Sequence, residues 1–234
     1  MTLAGILESY NWFMDLRDPR SEGWFLMGSI WPTLFLCLSY YLIVRFVGPW
    51  FMKTREPYNL KKLILAYNLF QVVFNSWIIY HAWWLWRDHY NWTCQPVDFS
   101  NSPTALAALD ICWWYYFSKF VDFFDSFFFV LRKKFSHLST LHVIHHGGLP
   151  IGVWFAPRFV GGGHSTFSGL LNAFVHVVMY LYYFLAALGP QVQPYLWWKK
   201  YLTRLQMIQF IIFFIHAMLP LIFECDYPKV MIFW

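Results

Sequence analysis

Residues 167–187 read FSGLLNAFVHVVMYLYYFLAA, an apolar run with no Lys, Arg, Asp or Glu. A helix needs about 20 apolar residues to cross a hydrocarbon core, so this stretch predicts a membrane span. Within it Asn172, His176, Met179, Tyr180 and Tyr183 have spacings of three and four that put them on one helix face. Polar groups are costly in lipid and line an interior. The same reading places further spans at 24–44, 63–86, 108–131, 138–157 and 203–223, each bounded by charge, Pro or Gly. A seventh run begins at Val230, and the sequence ends at Trp234, which reads as the start of an interrupted helix. The expected fold is an all-α membrane protein, a bundle of six complete transmembrane helices plus the start of a seventh.

Composition agrees. Of 234 residues, 59% are hydrophobic and 12% charged, against about a quarter charged in soluble domains. Residues 1–23 are polar and acidic and do not resemble a cleavable signal, so the first run is expected to be an uncleaved anchor. The organisation expected is a lumenal N-terminal segment, 1–23, and one polytopic transmembrane domain, 24–234, without internal repeats.

Basic residues orient the bundle. Loops 45–62, 132–137 and 188–204 carry Arg45, Lys53, Arg55, Lys61, Lys62, Arg132, Lys133, Lys134, Lys199, Lys200 and Arg204. The other side has Arg17, Arg20, Arg87, Arg158 and Lys229. The richer side is expected in the cytosol and the N-terminus in the lumen. The net charge of +5 then reflects topology and anionic headgroups rather than nucleic acid, because the cations are split among loops. Cys94 and Cys225 both fall on the lumenal side, where a disulfide can form; Cys37 and Cys112 read as small apolar residues within spans. Asn91-Trp92-Thr93 is a glycosylation sequon on the same side.

The chemistry gathers on four runs. Lys119, Asp122 and Asp125 are spaced by three, and His142-Val143-Ile144-His145-His146 sets three imidazoles on one side of the fourth run. Asn172 and His176 belong to the fifth, and Thr203, Gln206 and Gln209 begin the sixth. With this topology and a rise of ~1.5 Å per residue, all lie in the cytosolic half of the membrane. Convergence of four polar faces at one depth predicts a shared site opening to the cytosol.

Each motif also has a plainer reading. Lys119 and Asp122 can form a structural ion pair, Gln206 and Gln209 can join helices, and the tyrosines can be packing or interfacial residues. His81, His89 and His216 read as lone structural histidines, and Gly161-Gly162-Gly163 as a lumenal turn. The histidine box is least well explained this way, since three adjacent imidazoles in lipid need partners.

Lys119-x-x-Asp122-x-x-Asp125-Ser126, His142-x-x-His145-His146, Asn172-x-x-Val175-His176-x-x-Met179-Tyr180-x-Tyr182-Tyr183 and Thr203-x-x-Gln206-x-x-Gln209 occur in this order. In this the chain resembles the ELO family of very-long-chain fatty acid elongases, from about residue 24 to 230. It departs where Asp122 stands for the family's Glu and Ser126 for its Thr, and the family has a complete seventh helix and often a C-terminal dilysine signal.

The resemblance implies a 3-ketoacyl-CoA synthase of the endoplasmic reticulum. Such an enzyme condenses long-chain acyl-CoA with malonyl-CoA, releasing CO2 and CoA, in the first step of elongation. No cofactor or metal is implied, and the partners are the two CoA esters, the bilayer and the other enzymes of the elongation cycle. The bundle would enclose an acyl tunnel. CoA phosphates would meet Arg132, Lys134, His137, Lys199 and Arg204 at the cytosolic mouth, and Lys119, Thr203, Gln206, Gln209, Tyr180 and Tyr183 would contact substrate. No cysteine lies at the depth of the polar site, so an acyl-imidazole is expected, with His145 as nucleophile. His142, His146 and His176 would handle protons and orient the enolate, and Asn172 would donate to the thioester oxyanion. Asp122 and Asp125 would orient imidazoles or pair with Lys119. Two other classes fit less of the pattern: a di-iron membrane desaturase or hydroxylase, which needs more histidine boxes, and a non-enzymatic lipid-binding or transport protein.

Overall fold

The computed structural model describes residues 5, 8 and 13–229, which contain helices and no strand. The helices are α1 (Trp31–Met52), α2 (Lys61–Asp88), α3 (Pro103–Val121), α4 (Phe123–Leu131), α5 (Thr140–Phe159), α6 (Thr166–Leu188) and α7 (Lys199–Ile222). Four of them, α1, α2, α6 and α7, are long and apolar enough to cross a membrane. The expected beginning of a seventh run at Val230 lies outside the described residues.

The polarity of the interior supports the membrane reading. Phe35, Trp50, Val73 and Phe214 are exposed, while Asn68, Gln71, Asn75, Lys119 and Asp122 are buried. A water-soluble domain buries its large apolar side chains and rarely its charges; lipid reverses which face is favourable.

The first expected run, 24–44, is displaced. Residues 24–30 make turns, and the helix starts at Trp31 with Pro32 in its first turn, where a missing N–H costs nothing. The helix then runs on to Met52, into the expected loop, through a π-turn at Ile43–Val47. Pro49 has no N–H for the Arg45 carbonyl, and Gly48 N–H bonds Ile43 O instead. Gly48 also lets α1 approach α4: a Cβ there would lie 2.6 Å from Val130 Cγ1 and 2.7 Å from Ile43 O.

The third expected run, 108–131, is two helices. Pro103 and an Ser102 side chain accepting from Ala105 N–H start α3, and Asp122 ends it and begins α4. Neither α3 nor α5 is among the four helices that are long and apolar enough to cross a membrane. Asp110, Lys119 and the junction residue Asp122 account for this in the first case, and the histidines and Arg158 in the second.

α2 packs along α6, α5 against α1 and α3, and α7 against α6. Beyond α5 the chain turns at Gly162 and Gly163, with φ of 120° and 71°, values open mainly to glycine. The segment before α1 docks here: Arg158, fully buried, donates to Asp18 O at 3.0 Å, and Asp18 N–H returns a bond to Arg158 O. A disulfide joins Cys94, after α2, to Cys225, after α7, with Cα atoms 5.7 Å apart.

Candidate active site

The polar groups picked out by spacing meet where α3 gives way to α4. Asp122, at the junction, is buried. Its Oδ2 is 3.3 Å from Lys119 Nζ, one turn earlier on the same face. Its Oδ1 accepts from Gln71 Nε2 at 2.8 Å and faces the Tyr180 hydroxyl at 3.2 Å. His176 Nδ1 lies 3.9 Å from Oδ2. Lys119 Nζ also donates to Asn172 Oδ1 at 3.0 Å, an oxygen shared with the Tyr115 hydroxyl. A buried ion pair persists only when both charges keep enough partners to offset desolvation, and here each has a second one. Asp125 meets neither an imidazole nor Lys119. It lies beyond the junction, on α4, and accepts from Tyr180 Oη at 2.5 Å.

The histidine box occupies the first turns of α5, which Ser139 caps through His142 N–H. His142 Nε2 is 2.8 Å from Ser126 Oγ, and that hydroxyl is 2.8 Å from Tyr40 Oη. His142 and His146, four apart, bring their rings to 4.3 Å; His145 and His146 are 5.5 Å apart and nearly perpendicular. Pro150 falls four residues after His146 and cannot supply the N–H that would bond its carbonyl.

Of the three, only His145 borders the cavity that runs through the helices. This space, about 260 Å³, has His145, Tyr115, Asn172 and Gln209 at one end. Ile111, Leu149, Val153, Leu170, Phe210 and Phe213 form apolar wall, and His164, His216 and Tyr227 stand at the other end. An elongated apolar space with polar groups concentrated at its ends suits a flexible hydrocarbon ligand with a reactive head.

Other residues expected to meet substrate lie away from the cavity. Arg132, Lys134, His137, Lys199, Thr203 and Arg204 do not border the cavity. Lys134, His137, Lys199, Thr203 and Arg204 are exposed; His137 stacks on Phe129 at 5.0 Å, and Arg204 lies over the Tyr201 ring. Gln206 reaches Met179 Sδ at 3.8 Å, and Tyr183 packs beside Tyr180. One plainer reading is corrected: His216 is not alone but stacks on His164 at 4.0 Å. Cys112 is buried as a small apolar residue and also borders the cavity. Among the described residues no group of three His, Cys, Asp or Glu side chains is placed to hold a metal ion.

The structure adds Gln71, Tyr67, Tyr115 and Tyr40 to the site. Gln71 binds both Asp122 and Tyr67 Oη. A signal for it existed: Asn68, Gln71 and Asn75 form a polar face within an otherwise apolar run. Tyr40 and Tyr115 carried none, being aromatic residues among many.

Comparison with known proteins follows the same motifs. The pattern of the ELO family, described as GNS1/SUR4, matches residues 25–234. A very long chain fatty acid elongase of Aedes aegypti is 54% identical over 232 residues, covering 97% of this chain and 64% of its own length. Very long chain fatty acid elongase 7 of Drosophila melanogaster is 50% identical, covering 94% and 68%; that of Rattus norvegicus is 45% identical, covering 93% and 78%. The chain therefore spans 64% of the length of the mosquito relative.

Proposed function

Since the chain belongs to the ELO family, we propose that it is a very-long-chain 3-oxoacyl-CoA synthase. It condenses long-chain acyl-CoA with malonyl-CoA to 3-ketoacyl-CoA, CO2 and CoA. The observation that carries this reading is the cavity, apolar along its wall, with His145 bordering its polar end. The apolar part receives the acyl chain, and the thioester stops beside His145.

A ping-pong route then follows. A ring nitrogen of His145 attacks the thioester carbonyl, the C–N bond forms, the C–S bond breaks, and CoA leaves as the thiol with a proton. Loss of CO2 from malonyl-CoA gives an enolate whose carbon attacks the acyl-imidazole. The C–N bond breaks, and the departing His145 imidazolate takes up a proton from water entering at the cytosolic mouth, which restores the neutral ring. Asn172 has its oxygen engaged by Lys119 and Tyr115, which leaves its NH2 to donate to the oxyanion. Ser126 holds His142 at Nε2, and His176 Nδ1 stands 3.9 Å from Asp122 Oδ2 without a hydrogen-bond partner of its own, so both imidazoles are at hand for proton transfer. Arg132, Lys134, Lys199 and Arg204 bind CoA phosphates at the mouth as the site opens to the cytosol.

The same reading has all six apolar runs crossing the membrane of the endoplasmic reticulum, with the N-terminal side in the lumen. Other enzymes of the elongation cycle take the product.

The test is acyl-CoA supplied without malonyl-CoA to detergent-purified protein. The expected result is stoichiometric CoA release and an acyl mass on the peptide holding His142 to His146, both lost in His145→Ala. An acyl mass on the Cys112 peptide would transfer the nucleophile role to that thiol. CoA release that requires malonyl-CoA would replace the covalent route by a sequential one. Stoichiometric iron, with activity lost on chelation, would overturn the synthase itself.

A further inference from the structure

Pro220 lies inside α7 and, lacking an N–H, leaves the carbonyl of His216 without its helical donor. His164 Nε2 takes that place at 2.8 Å. A carbonyl only accepts, so the proton between them sits on His164 Nε2. In a neutral imidazole the other nitrogen, Nδ1, is then a bare acceptor. Burial holds His164 below the ordinary histidine range, which keeps the ring neutral. His164 is 2% exposed, and its Nδ1 has no hydrogen-bond partner; neither has His216 Nε2 on the stacked ring. Both residues border the cavity. His216 is two turns from Gln209 on α7, roughly 10 Å along the axis, so this pair marks the end away from His145.

A plain hydrocarbon terminus leaves those nitrogens unmet, although a buried acceptor without a partner is costly. The geometry points to a polar subsite at the far end of the acyl site: His164 Nδ1 accepts a hydrogen bond from a hydroxyl carried at or near the ω carbon of the chain. The preferred acyl group is thus an ω-hydroxyacyl chain long enough to span the cavity. This rests on the cavity being the acyl site, as proposed above.

The experiment compares three CoA esters at each of a series of chain lengths: ω-methyl, ω-hydroxy and ω-methoxy. The methoxy group has the oxygen without the donor. At the length that reaches His164, ω-hydroxy should exceed ω-methoxy in kcat/KM by about tenfold, the worth of one hydrogen bond to a buried acceptor. His164→Phe should bring that ratio to about one. Pro220→Ala gives the His216 carbonyl a backbone donor, releases His164 and should lower the ratio too, which keeps the test alive if the first variant does not fold. Equal kcat/KM for ω-hydroxy and ω-methoxy at every length overturns the subsite while leaving the synthase reading intact. A ratio that survives both variants does the same for the role of His164. Failure to turn over any of the esters overturns both readings.

Discussion

Asp122 shows how a carboxylate is kept in an apolar protein. Lys119, Gln71 and Tyr180 surround it within hydrogen-bonding distance, and hydrogen bonds to a charged group are worth about 1.5–3 kcal/mol each. Gln71→Leu keeps the volume but removes one donor from Asp122. The expected loss is about 2 kcal/mol, read as a fall in the thermal midpoint of detergent-purified protein, with Val73→Leu on the exposed face as the unchanged control. An unaltered midpoint would mean that Lys119 and Tyr180 hold the charge without Gln71. Spacing made most of this cluster legible: Lys119 with Asp122, Asn172 with His176 and Tyr180 each fall one turn apart on a single run. It did not assign partners between runs, so Asp125 was expected at an imidazole or at Lys119 and lies at Tyr180. Nor did it extract Gln71, although Asn68 and Asn75 share its face, or Tyr40, since a phenol in an apolar run rich in aromatics carries no mark of its own.

Each of the six expected runs falls on helix, but one falls on two helices and only four helices are long and apolar enough to cross a membrane; the ends were less legible. Runs 63–86 and 167–187 lie within α2 and α6, because charges and a Gly bound them. The first run was placed too early, since Trp24 to Met27 are apolar but Gly28 and Ser29 precede a helix that Pro32 starts. The Arg45–Pro49 stretch was assigned to a loop on charge and proline, whereas a π-turn absorbs the missing N–H and the helix continues. That continuation makes α1 and α4 depend on Gly48. A Cβ at this position meets a branched side chain and a backbone oxygen that cannot swing aside. Gly48→Ala should therefore destabilise by about 1–3 kcal/mol, the usual range for overpacking, despite the helix propensity gained. Unfolding in detergent checks the sign, and stabilisation would show that the two helices can separate there at no cost.

Across the whole molecule, the disulfide ties the segment after α2 to the one after α7, 131 residues apart in sequence. Closing so long a loop removes chain entropy worth about 4–5 kcal/mol from the unfolded state in the simplest treatment. Cys94→Ser and Cys225→Ser should each lower the thermal midpoint, and the double variant should fall no further than either single one, because all three lack the same bond. Additive losses would mean that the cysteines stabilise separately. The bond has a further consequence, in time rather than in energy. Cys94 leaves the ribosome long before its partner, and everything from α3 to α7 must be made before Cys225 exists. Until then Cys94 is a reactive thiol without its mate, open to oxidoreductases and to wrong pairing. Oxidation of this pair therefore dates the arrival of the segment after α7 during biogenesis: a Cys94 still trapped as a mixed disulfide identifies a molecule in which Cys225 has yet to arrive.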